Sequence, residues 1–286
     1  MAERRSITVL HVSDMQFGAK HRFGSAEGTP GDQRYDTLAA RLLDDLVHLR
    51  EEHGVRPDLI VASGDLTERG WPVEFDQVSA FLGPLAEGLK LPRSRVVMVP
   101  GNHDVNRRKC ASYFADCEEH GRDPVPPYWP KWEPYATMFA NFYRGVPGIA
   151  FPPNQPWTCY EMADLKTVVA GLNSTMAETH LDGTHYGSCG EEQFRWFARR
   201  LGEYRRQGWL RIGVLHHNPV PLGHDDDSSL RDADKFEAFL AGHLNLVLHG
   251  HTHAGKLCGF GRTGLPVFCS GSAGVRQEAR PEDTPN

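Results

Sequence analysis

The sequence predicts an α/β fold. Two observations carry this. Short apolar runs alternate with amphipathic helical stretches, and five of those runs end directly in polar, chemistry-bearing clusters. Ligands of α/β sheets bind beyond the carboxyl ends of the strands. Five such ends, drawn from distant parts of one chain, point to a single convergent site.

The elements follow in order. Residues 7–12 read as a strand entering Ser13 and Asp14. Tyr35, Leu38, Leu42, Leu46 and Leu49 recur at spacings of three and four, so a helix is expected over about 33–53. Residues 58–63 form a buried strand ending at Gly64 and Asp65, and 73–87 a helix. Residues 96–99 form a third strand, ending in Pro100, Gly101, Asn102, His103 and Asp104. Residues 105–160 break the rhythm with many prolines and aromatics, and read as an inserted, folded cap within one domain of residues 1–286. Residues 166–172 form a strand. Ser188 and Glu191 have capping-box spacing ahead of a helix with the face Phe194, Phe197, Leu201 and Tyr204. Further strands are expected at 210–215, ending at His216 and His217, and at 244–248, ending at His249, Gly250, His251, Thr252 and His253, with a helix near 231–241 between them. Strands at 255–260 and 265–270 close the pattern.

Composition narrows the function classes. The chain of 286 residues has net charge −6, so no global basic footprint for nucleic acid exists. Mean hydropathy is −0.48, and no run approaches a membrane span or a signal peptide. Six cysteines without a CxxC pair fit reduced thiols in a cytoplasmic protein. The fifteen histidines are unevenly spread, with His216, His217, His249, His251 and His253 in two short stretches. Clustered imidazoles suggest a metal or proton-transfer site.

The strand-end residues suit a two-metal site, which needs a bridging carboxylate, flanking nitrogen and oxygen ligands, and room for a reacting oxygen. Asp65 fits the bridge. Asn102, His216 and His251 complete one metal, and Asp14 and His253 serve the other. His103 is left to face the substrate as a proton donor, with Asp104 as its orienting partner. Ligation by Asp, Asn and His without thiolate favours manganese, iron or zinc.

The ordered set Asp14-Met15-Gln16, Gly64-Asp65, Gly101-Asn102-His103-Asp104, His216-His217-Asn218-Pro219 and Gly250-His251-Thr252-His253 resembles the calcineurin-like metallophosphoesterase superfamily over about residues 7–274. The resemblance implies a four-layer αββα sandwich of two mixed sheets, two divalent ions, and phosphate-ester hydrolysis by a metal-bound hydroxide. The paired His216 and His217 are most similar to the cyclic-nucleotide phosphodiesterase-like branch. One position departs: the superfamily's first motif is Asp-x-His, and this chain has Gln16. A neutral amide oxygen there favours manganese over softer ions. A weaker similarity of architecture is to phosphoesterase domains at the N-terminus of STAND-type NTPase proteins.

Three functions follow as expectations. The first is a phosphodiesterase acting on a nucleotide-like ester, with the aromatic stretch 128–151 roofing its pocket. The second is a nuclease, with Arg107, Arg108 and Lys109 lining a groove for a polynucleotide. The third is a ligand-binding module with weakened catalysis, for which Gln16 is the supporting feature.

Overall fold

A computed structural model describes residues 6–19, 21, 37–220 and 229–274. Strands β1 (Val9–Val12), β2 (Leu59–Ala62) and β3 (Val96–Met98) form a parallel sheet in that order. Strands β4 (Thr158–Met162), β5 (Thr167–Gly171), β6 (Leu210–Val214), β7 (Leu246–His249), β8 (Lys256–Phe260) and β9 (Leu265–Cys269) form a second sheet, ordered β4-β5-β6-β7-β9-β8. Its four inner strands are parallel, and β4 and β8 pair antiparallel at the edges. The second sheet is thus mixed, while the described strands of the first are all parallel.

Among the described residues, six α-helices flank the sheets: α1 (Leu38–His53), α2 (Pro72–Gly88), α3 (Arg107–Glu119), α4 (Glu133–Phe142), α5 (Glu191–Arg206) and α6 (Ala233–Leu240). The side-chain alternation of the second sheet explains the layering. On β5, Val169 joins a core with β1, β2, β3 and α2, whereas Val168 and Ala170 join another with Phe194, Phe197, Leu201 and Phe236 of α5 and α6. On β7, Leu248 and Val247 divide in the same way. A strand buried on both faces needs cover on both, which gives the four layers helix, sheet, sheet, helix. The two sheets are also tied by a hydrogen bond: Tyr160 of β4 donates its hydroxyl to the Met98 carbonyl of β3 at 2.7 Å.

Local signals account for the helix ends. Thr37 caps α1, its Oγ1 accepting from Ala40 N at 3.2 Å, and Gly54 closes the helix at φ 67°. The expected start of this helix, residues 33–36, lies outside the described residues. The Ser188/Glu191 capping box does not form. Gly190 caps α5, and the Asp232 carboxylate accepts instead from Gly190 N at 2.7 Å, Cys189 N at 3.1 Å and Ser188 Oγ at 3.2 Å. A carboxylate from across the fold thereby supplies the helix-start acceptor, and Glu191 is free to pair with Arg195 and Lys235.

Residues 105–160 supply α3, α4 and β4. The aromatic rings of Trp132, Tyr135, Phe139, Phe142, Tyr143 and Phe151 lie in the first core, where Tyr135 meets Phe75 of α2 edge-on at 6.0 Å. Lys131, fully buried, donates to the carbonyls of Thr175, Met176 and Glu178 at 3.1, 2.8 and 2.7 Å, pinning the loop after β5. All six cysteines are free. Among the described residues, no helix is long and apolar enough to cross a membrane.

Candidate metal centre

The five strand ends converge where the two sheets meet. After β1 and β2 the chain continues to pair: Asp14 N donates to Gly64 O at 3.1 Å, and Gln16 N to Asp65 O at 2.9 Å. Gly250 N donates to His216 O at 3.1 Å, locking the β6 and β7 ends together. Two glycines permit this density. A Cβ at Gly101 would collide with the backbone nitrogen and carboxylate of Asp65, and one at Gly250 with Ser13 Oγ and the carboxylate of Asp14.

Five candidate residues hold left-handed backbone: Asp14 (φ 52°), Gln16 (47°), Asp65 (49°), His251 (71°) and His253 (54°). Residues other than glycine rarely adopt this region, and such outliers cluster at functional sites.

The central group is His216, which is fully buried. Its Nδ1 lies 2.9 Å from the Ser63 carbonyl, an acceptor, so Nδ1 carries a proton and donates. Its Nε2 then faces Asn102 Oδ1 at 3.1 Å, His251 Nδ1 at 3.0 Å and Asp65 Oδ1 at 3.2 Å. All of these partners can present lone pairs to one point. Ligand atoms about 2.1 Å from a common ion, at right angles, sit roughly 3 Å apart, which is the spacing found. Asp65, His216 and His251 group as possible metal ligands, their donor atoms all within 4.8 Å of one another. The residues therefore fit a divalent ion.

A second cluster adjoins it. Asp14 Oδ1 lies 3.2 Å from His253 Nε2, while Asp14 Oδ2 accepts from His251 N at 3.0 Å. Apart from the His253 ring, buried Asp14 Oδ1 meets no hydrogen-bond donor, consistent with an oxygen reserved for a cation. Gln16 is half-buried beside this cluster in sequence, and its side chain makes no hydrogen bond among the described residues.

Electrostatics agree. Burial alone would raise the Asp65 carboxyl, but the facing imidazoles of His216 and His103 hold it well below the usual range. Burial opposes charge on His216 too, yet Asp65 holds its ring up at about 9. Burial, aided by His216, pushes His251 down to about 4. One positive charge therefore concentrates between His216 and Asp65, where a metal ion would replace the proton.

His103 and Asp104 separate in role. His103 Nδ1 donates to the Glu68 carbonyl at 2.7 Å, and Nε2 lies 4.0 Å from Asp65 Oδ2. The side chain is 41% exposed and lines the adjoining cavity. Asp65 raises the pKa of its ring against the effect of burial. Asp104 is fully buried, its carboxylate accepting from Leu66 N, Thr67 N, Thr67 Oγ1 and Gly101 N at 3.1, 2.9, 2.9 and 2.8 Å. Burial and nearby Asp65 push its carboxyl up to about 7. The backbone of Glu68, not the Asp104 carboxylate, makes the hydrogen bond that orients His103.

Sequence reasoning missed one pair. Ser174 Oγ lies 2.8 Å from His217 Nδ1 and accepts from His217 N at 3.2 Å, with both residues buried. The ring of His217 lies 4.7 Å from that of His251. The signal was present: Asn173, Ser174 and Thr175 are a sixth polar cluster at a strand end, after β5.

Next to Asn102 and His103 opens a cavity of about 360 Å³, also lined by Glu68, Arg69, Trp71, Val105, Arg107 and Arg108. Buried Glu74 shapes its rim, accepting from Arg69 N at 2.9 Å and Trp71 N at 3.1 Å. The guanidinium groups of Arg69 and Arg108 lie 5.0 and 5.5 Å from the Trp71 ring centre.

Comparison with known proteins places this geometry. The cAMP/cGMP dual specificity phosphodiesterase of Mycobacterium tuberculosis is 25% identical over 278 residues, 96% of this chain and 70% of that protein. The 3',5'-cyclic adenosine monophosphate phosphodiesterase CpdA of Escherichia coli is 25% identical over 258 residues, 88% of this chain and 72% of that protein. A dimetal phosphatase from Danio rerio shares the fold with a TM-score of 0.57 at 13% identity, covering 93% of this chain and 88% of its own. Residues 7–255 match the family model described as calcineurin-like phosphoesterase. With that match spanning most of the chain and the strand-end donors gathered around His216 and Asp14, the chain belongs to the calcineurin-like phosphoesterases, enzymes that hydrolyse phosphate esters.

Proposed function

We propose that this chain is a divalent-metal-dependent phosphodiesterase acting on small nucleotide-like esters. The observation that carries the reading is the His216 Nε2 atom ringed by the donor atoms of Asp65, Asn102 and His251. These four residues would hold one ion. Asp14 and His253 would hold the other, with Asp65 between them and Gln16 at the remaining position. When bound, the ions supply Lewis acidity and an acidified water.

The chain's own residues do the rest. Nδ1 of His103 is committed to the Glu68 carbonyl, so Nε2 is the atom that donates a proton to the departing oxygen. The Asp104 carboxylate fixes the loop that presents Asn102 and His103, through the bonds described above. The part of 105–160 that borders the cavity is Val105, Arg107 and Arg108, and we assign substrate choice to this edge. The indole of Trp71 offers a face on which a base can stack.

A compact substrate is favoured over a polynucleotide by the fate of the basic run. Arg107 gives its Nε and Nη2 to Glu178 and Lys109 pairs with Glu133 at 2.5 Å, so the run presents to the cavity only Arg108 and the remaining edge of Arg107, a contact for one compact group rather than for an extended polyanion. Cyclic nucleotides, named for the relatives, are the first natural substrates to assay. The oxygen donors favour Mn²⁺, and six free thiols suit the reducing cytoplasm.

The test is metal content together with turnover of bis-p-nitrophenyl phosphate. Asp65→Asn should lose both, because a neutral amide neutralises and bridges two cations poorly. Unchanged metal content and rate in that variant would overturn the reading.

A further inference from the structure

We propose that the cavity beside His103 is a subsite for a second phosphate group, so that the preferred ligand is a dinucleotide carrying two phosphates rather than a 3',5'-cyclic mononucleotide. This rests on the phosphodiesterase reading above for the identity of the scissile group. The cavity meets the metal-ligand set only at Asn102, and its other lining residues lie outside that set. It therefore houses what is attached to the reacting phosphate. At about 360 Å³ it falls within the range of small-molecule sites.

The charge of the wall is the second observation. Three arginines, Arg69, Arg107 and Arg108, line the cavity against one acid, Glu68. Glu68 is already paired with Arg69 at 3.2 Å. Arg108 lies over Trp71 and has no carboxylate partner among the described residues. A cyclic mononucleotide brings a single negative charge, which the metal centre takes. Nothing in such a ligand answers Arg108, or the edge of Arg107 that Glu178 leaves open to the cavity.

The third observation is how firmly Arg107 is held. Its Nε and Nη2 donate to Glu178 Oε1 at 3.1 and 2.8 Å, and that carboxylate has no solvent exposure. His185 Nδ1 lies 2.7 Å from the same oxygen. Burying a carboxylate to fix a cavity-lining arginine is costly, and the return is a guanidinium held in one place. Arg107, Arg108 and Lys109 also occupy the first turn of α3, which contains no acidic residue. Aligned peptide dipoles disfavour cations there. A bound phosphate relieves that conflict, and local conflicts of this kind are expected at functional sites.

The experiment compares two ligands that differ in one group: diadenylate with a 5'-phosphate and diadenylate without it. Both contain the same diester and the same bases. Binding is measured by calorimetry with a chelator present, so that no turnover occurs. The wild-type chain should bind the phosphorylated form about tenfold more tightly, the effect of one good charged contact. Arg107→Ala and Arg108→Ala should each cut that preference below about threefold, with thermal melting confirming that the variants fold. Lys109→Ala, whose partner Glu133 lies outside the cavity lining, should keep it. Equal affinity of wild type for the two dinucleotides, or a preference that survives both arginine variants, overturns the proposal. A clear preference in a protein that hydrolyses no diester with Mn²⁺ would leave the subsite standing and overturn the phosphodiesterase reading instead.

Discussion

His103 is aimed by the main chain of Glu68: its Nδ1 donates to that carbonyl at 2.7 Å, which leaves Nε2 as the reacting nitrogen. The ring is thus set by the same β2–α2 loop that carries Asp65, through a backbone carbonyl rather than through a side chain of the donor cluster. His103→Ala should retain full metal content yet slow diester turnover by roughly 10²–10⁴-fold. Elemental analysis beside steady-state kinetics checks it. Loss of metal in this variant would make His103 a ligand.

Asp104→Ala should behave in the opposite way. Four donors, three of them backbone N–H groups, converge on this buried carboxylate. Removing it strands them, and hydrogen bonds to charged groups are worth about 1.5–3 kcal/mol each. Stability should drop by about 3–5 kcal/mol, with metal affinity falling alongside because Asp65 and Asn102 sit on the same loops. Urea unfolding and Mn²⁺ titration read the two effects. A stable variant defective only in turnover would return Asp104 to a role in the chemistry.

The place proposed for Gln16 at the second ion predicts an asymmetry between the two ions. An amide oxygen is a weaker donor than imidazole for late first-row ions. Calorimetric titration with Mn²⁺ should show one tight and one weaker site, and Gln16→His should tighten the weaker. Two equally tight sites in wild type would mean that Gln16 does not limit metal binding.

Alkaline conditions should unfold the protein through its buried tyrosines. Burial pushes the phenols of Tyr135, Tyr143 and Tyr160 above the usual range. In the unfolded chain they lose protons near pH 10, whereas the folded chain keeps them. The folded state then binds more protons, so stability falls as pH rises above about 10. Three such groups give a slope of up to about 4 kcal/mol per pH unit. Tyr143→Phe should lower that slope by up to about 1.4 kcal/mol per pH unit, the share of one titrating group. Urea midpoints between pH 9 and 11 measure it, and an unchanged slope counts against the assignment.

Much of this was legible in the residues, for identifiable reasons. The strands Leu59–Ala62 and Leu246–His249 announce themselves because burial on both faces demands unbroken apolar runs. The cluster of donor atoms around His216 was readable because each of its members lies within a few residues of such a run. The aromatic stretch was harder. A cap over the site and a layer of the core need the same side chains, and only the packing of Tyr135 against Phe75 places these rings in the core. Asp104 and Asp232 were opaque for a related reason. What each carboxylate accepts is backbone from distant segments, Thr67 for one and Gly190 for the other, and sequence spacing carries no trace of it.

The left-handed residues of the metal centre set a limit on how this enzyme can be improved. Each of Asp14, Gln16, Asp65, His251 and His253 sits where an L-residue loses roughly 1–2 kcal/mol and glycine loses little. Heat resistance and catalysis pull in opposite directions most plainly at Gln16, because the Asp14 and Asp65 carboxylates accept from the His251 and His103 backbone N–H groups and glycine would strand those donors. A library screened for thermal tolerance alone should drift toward glycine at Gln16, yielding sturdier molecules with a poorer donor set. Hardening this scaffold has to begin elsewhere, on the outer faces of its helices, with turnover kept in the screen.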